Sequence, residues 1–108
     1  MIKKIWKQNE CGCALFVNDI QIAWLTGKLE KDKFVYFFNA SVGRTSFVDH
    51  ELKSATLEEA KKEVEEILLA QYSDYVATLK NEVERCNKIC KVLYTKDEAN
   101  ESVGDNNG

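Results

Sequence analysis

Not one proline occurs in this 108-residue chain, and no glycine lies between Gly43 and Gly104. These are the two residue types that most readily interrupt a helix. Across that gap apolar residues recur at Tyr72, Val76, Leu79, Val83, Cys86, Cys90 and Leu93, alternately four and three apart, which is a heptad stripe. Upstream the stripe continues through Leu57, Ala60, Val64 and Leu68, where steps of four act as a stutter that realigns a straight helix before the heptad phase begins. Thr56 with Glu59 three residues later has the spacing of a capping box. The pattern predicts a helical segment over 56–94. Drawn out as one helix it would be about 58 Å long at roughly 1.5 Å per residue, whereas a six-residue strand spans about 20 Å. A small sheet therefore covers only the first half. Either the helix breaks at Ser73-Asp74, both plausible cap residues, and folds back as a helical hairpin, or it stays continuous and pairs with a second copy. In the second case the seven residues from Tyr72 to Leu93 are the seam of a homodimer.

The front half reads as strands. Residues 13–17 and 20–25 are apolar runs separated by Asn18-Asp19, a pair that tolerates the positive φ angles of a tight hairpin. Thr26-Gly27-Lys28 breaks the pattern. Lys31-Asp32-Lys33 is a charged turn before Phe34-Val35-Tyr36-Phe37-Phe38, a β-favouring run expected to be covered on both faces. Residues 39–45 read as a loop, 46–48 as a short edge strand, and 2–6 as another. The fold class expected is α+β: an antiparallel sheet of three to five strands from residues 2–48, followed by a long C-terminal helix or helical hairpin. Leu57, Val64 and Leu68 should pack on Phe34, Tyr36 and Phe38, or else on Val35 and Phe37. The single domain spans 1–96. Residues 97–108 are acidic and nearly devoid of large apolar groups, so they are expected to be a disordered tail.

Charge narrows the function classes. The net charge of −3 divides unevenly: residues 56–74 carry six acids against two bases, and 75–96 carry five bases against two acids. That polarity suits the helix macrodipole. It gives no broad basic face, so direct nucleic-acid binding is not expected. No apolar run approaches the length of a membrane span, and Gln8-Asn9-Glu10 falls where a signal peptide needs an apolar stretch. A cytoplasmic protein with reduced cysteines follows as the expectation.

No catalytic constellation is legible. Cys11 with Cys13 and Cys86 with Cys90 could each present two thiolates on one face, but Cys86 and Cys90 lie on the apolar stripe, where thiols behave as small buried hydrophobes. No metal and no cofactor are expected. His50, the one histidine, sits between Asp49 and Glu51 in what reads as a solvated connection. The loop containing Arg44, Thr45 and Ser46 offers a guanidinium and hydroxyls to a phosphate, and Arg85 and Lys88 could complement it across a dimer. The acidic set Glu58, Glu59, Glu63, Glu65 and Glu66 would suit a basic partner surface such as a nucleic-acid-binding groove.

A meander of short strands followed by Ser54-Ala55-Thr56-Leu57-Glu58-Glu59-Ala60-Lys61-Lys62-Glu63 resembles, in style, small phage-encoded proteins in which a sheet is followed by a well-capped helix. The resemblance covers about residues 13–70. Proteins of that kind include anti-CRISPR inhibitors, which bind a host effector, and sponges, which sequester a signalling nucleotide. It implies a non-enzymatic inhibitor that binds a host defence protein in the host-cell cytoplasm, or alternatively a dimeric sponge for a nucleotide.

Overall fold

The structure, a computed structural model, describes residues 3–95. It is α+β: five strands and then one helix. The strands are β1 (Lys4–Asn9), β2 (Gly12–Val17), β3 (Ile20–Glu30), β4 (Lys33–Val42) and β5 (Thr45–Glu51), joined as an antiparallel meander in chain order. The helix α1 (Leu57–Tyr94) runs unbroken for 38 residues, so Ser73-Asp74 does not end it. Compactness nonetheless divides the chain into two units between Ser73 and Asp74. The tail expected to be disordered lies outside the described residues.

Turn chemistry sets the meander. Asn18 and Asp19 adopt φ of 50° and 68°, and Lys31 and Asp32 adopt 46° and 70°, the double left-handed geometry that matches strand twist in two-residue hairpins. Asn9 makes the first turn by accepting bonds from the Cys11 and Gly12 amides at 2.8 and 3.1 Å. Three expectations fail in this half. Gly27 does not end β3: it sits opposite Tyr36 in the ladder, and the Phe34 and Tyr36 rings lie where its side chain would be. A glycine here admits a close neighbour rather than breaking the strand. Residues 39–45 are not a loop either, because β4 continues to Val42 and only Gly43-Arg44 turn. The polar run 49–51 that read as a connection belongs to β5. There Asn39 accepts the Asp49 amide at 2.9 Å and its side-chain N–H reaches back to the Asp49 carboxylate at 3.3 Å, across a bulge in the β4–β5 register.

The core lies between one face of the sheet and the first part of α1. Cross-strand partners share a face: Trp6 with Leu15 and Ala23, and Cys13 with Leu25 and Phe38. These meet Ala60, Val64 and Leu68, which are buried at a spacing of four along the helix. Of the two candidate strand faces, the one with Tyr36 and Phe38 therefore turns inward. Phe34, expected with them, is half exposed at 50% because it lies at the turn end of the β3–β4 hairpin, next to Lys31-Asp32. Thr56 caps the helix by accepting the Glu59 amide at 3.2 Å, but no return bond from Glu59 is present among the described residues. Glu63, one turn further on, supplies the missing carboxylate instead. Its oxygens accept the Lys53 and Ser54 amides at 3.0 Å and the Ser54 hydroxyl at 2.6 Å, tying the connection to the helix.

Candidate interaction surfaces

The acidic set separates into structural and free carboxylates. Glu63 is spent on the connection before the helix. Burial pushes its pKa up, but the Ser54 hydroxyl, the two amides and the nearby Lys53 charge outweigh that, and the carboxyl ends below its ordinary range. Glu65 accepts the Trp6 indole N–H at 2.6 Å and the Lys4 ammonium at 2.8 Å. Burial raises it as well; the Lys4 and Trp6 bonds then bring it to a net lowering. Both carboxylates thus already hold bonds within the chain, where the sequence reading placed them on a partner surface. Glu58, Glu59 and Glu66 are exposed, with Glu58 in a 3.5 Å ion pair with Lys61. Strand β1 had no acidic partner legible in the sequence, so the use of Glu65 could not be read there.

Arg44, Thr45 and Ser46 form an exposed hairpin end between β4 and β5 rather than a loop enclosing a ligand. Arg85 is committed to Glu82 at 3.0 Å, a hydrogen bond and charge that raise its already high pKa, and Lys88 is exposed on the helix. His50 packs its ring edge-on against Phe38 and Phe47, centroids 5.3 and 5.4 Å away, and serves the sheet. Among the described residues no cluster of three or more histidine, cysteine or acidic side chains could hold a metal ion. No helix of the described residues is long and apolar enough to cross a membrane.

Of the seven seam positions, Tyr72 packs against the sheet core and is withdrawn from the seam. Val76, Leu79, Val83 and Leu93 are exposed by 43% to 62%, and Cys86 and Cys90 are exposed as well. Residues 74–94 are helix alone, so within one chain the apolar stripe carrying these two thiols lies open. Only Cys13 behaves as a core thiol; Cys11 is exposed at the first turn.

One surface was not foreseen. Alternation along the strands puts Ile5, Phe16, Trp24, Val35 and Phe37 on the face away from the core, with Ala14 buried among them. Each of the five larger side chains is half-buried. Within residues 3–73 the only helical segment packs on the opposite face, so this side has no second layer, contrary to the expectation that the strand over residues 34–38 is covered twice. Gly12 leaves room for the Trp24 ring, since a side chain at Gly12 would stand 3.0 Å from it. Lys7 and Lys28 extend over the Phe16 and Phe37 rings, 4.7 and 5.6 Å from the centroids. The signal was present in the sequence as aromatic residues at both parities of the strands; what was missing was a second layer to cover them.

Compared with known protein families, curated proteins and solved structures, the chain matches none.

Proposed function

We propose that the chain is a non-enzymatic interaction protein that binds a protein partner through the open face of its sheet. The observation that carries this is the aromatic row Phe16, Trp24 and Phe37 on a face with no second layer, flanked by Lys7 and Lys28. Tryptophan and its aromatic neighbours concentrate binding energy when a partner excludes water from them, and contiguous apolar surface of this kind marks interaction sites. The two lysines favour a partner whose contact surface is apolar at its centre and acidic at its edge. The likeness in style to phage-encoded sheet-and-helix proteins supports the narrower reading, an inhibitor of a host defence protein acting in the host-cell cytoplasm.

The test is capture from a bacterial lysate with immobilised wild type and with a Phe37→Ala/Lys28→Glu variant of unchanged circular dichroism. A partner held by the wild type and lost by the variant is the expected result. Equal retention by both would refute the surface. A nucleotide released on heat denaturation, with no protein retained, would favour the sponge instead.

A further inference from the structure

We infer that residues 75–94 of two copies form a parallel, in-register coiled coil. This goes beyond the binding face on the sheet and does not depend on it. With Val76, Val83 and Cys90 at the a positions, Leu79, Cys86 and Leu93 fall at d. The exposed large apolar residues of this stretch then follow the seam. Val76, Leu79, Val83 and Leu93 are a or d, Tyr75 and Ile89 are g, and Tyr94 is e, with Val92 alone lying outside. Seven of the eight thus occupy the positions that a facing helix covers in a coiled coil. A shallow groove is lined by Val76, Leu79, Lys80 and Val83, the a, d, e, a outline of a hole that receives a d-position knob, and continues past Glu84 to Asn87. β-Branched valine at a with leucine at d favours two parallel strands.

The flanking residues decide the direction. In a parallel pair each g residue faces the e residue five positions later on the second copy. Tyr75 then meets Lys80 as a ring beneath an ammonium, Glu82 meets Asn87 as acceptor and amide donor, and Ile89 meets Tyr94 as an apolar contact. All three pairs are compatible. In an antiparallel pair g faces g and e faces e. Two antiparallel registers keep Val76, Leu79 and Val83 in the seam. One opposes Glu82 to Ile89 of the second copy; the other opposes Glu82 to Glu82 and Lys80 to Lys80. The first desolvates a carboxylate against an alkyl group and the second sets like charges together, so both are disfavoured.

The full-length protein should sediment at twice its 12.4 kDa chain mass. Two variants test direction and register: Cys11→Ser/Cys90→Ser, whose one exposed thiol is Cys86, and Cys11→Ser/Cys86→Ser, whose one exposed thiol is Cys90. Diamide, which takes up the two thiol hydrogens as the disulfide forms, should convert both to covalent dimers on a non-reducing gel. A link through Cys86 without one through Cys90 would overturn the parallel register. A wild-type mass near that of one chain, or of three, would overturn the pair itself. Leu79→Asp/Val83→Asp should halve the mass and keep the sheet and helix signals of circular dichroism; a dimer surviving that change would place the interface elsewhere. Each readout is independent of partner capture on the sheet face.

Discussion

Replacing Glu63 with alanine removes a carboxylate that three donors converge on, the Lys53 amide, the Ser54 amide and the Ser54 hydroxyl. A hydrogen bond to a charged group is worth about 1.5–3 kcal/mol when water is kept out. Here it is not kept out: the Lys53 contact is exposed and the Ser54 contacts are part-buried, so water replaces much of what is lost and each bond counts for about 0.5 kcal/mol. The sum expected for Glu63→Ala is about 1–2 kcal/mol, read as a midpoint shift in urea at constant slope. Thermally, each kcal/mol corresponds to a fall of about 4–8 °C in a domain of this size. Glu63→Gln keeps one acceptor and should lose about half as much. The pH dependence carries a sign. The folded-state pKa lies below the ordinary carboxylate value of 4.5, so the stabilisation is complete above that pH and is lost as pH falls through the folded value. The gap between wild type and Glu63→Gln should close on acidification. A Glu63→Ala change within about 0.5 kcal/mol of wild type, as at an ordinary surface position, would refute the role assigned to this carboxylate.

Leu68 is buried at 3% beneath the sheet, and its change to alanine should cost about 2–5 kcal/mol in denaturant unfolding; a cost under about 1 kcal/mol would mean the helix does not pack there. At Gly12 an added methyl would stand 2.5 Å from the Leu25 carbonyl oxygen and 3.0 Å from the Trp24 ring. Gly12→Ala should therefore destabilise by about 1–3 kcal/mol and alter the tryptophan fluorescence, and unchanged fluorescence with unchanged stability would contradict the close packing of that ring.

Local signals were legible wherever a residue's own chemistry was decisive. Asn18-Asp19 specifies a turn because few pairs accept positive φ twice in succession, whereas Lys31-Asp32 was marked only by its charge between two apolar runs and takes the same geometry. The absence of glycine between Gly43 and Gly104, and of proline throughout, marked a helical segment to residue 94, its inward face by Ala60, Val64 and Leu68; that it runs unbroken past Ser73-Asp74 was left open. The same heptad pattern marked the surface left uncovered on the helix, save that Tyr72 at its start belongs to the core.

Whatever depended on a distant neighbour was decided by the tertiary structure alone. Gly27 reads as a break in isolation and becomes mid-strand because the Phe34 and Tyr36 rings need its missing side chain. Glu63 and Glu65 read as free acids on a helix until folding brings the connection and β1 against them. Aromatic residues at both parities of a strand predict two buried faces, yet a sheet followed by a single packed helical segment has only one to bury. The sequence determines each residue's local preference and the periodicity of its neighbours; only the packed layers determine which of those preferences meets a partner and which remains open to one.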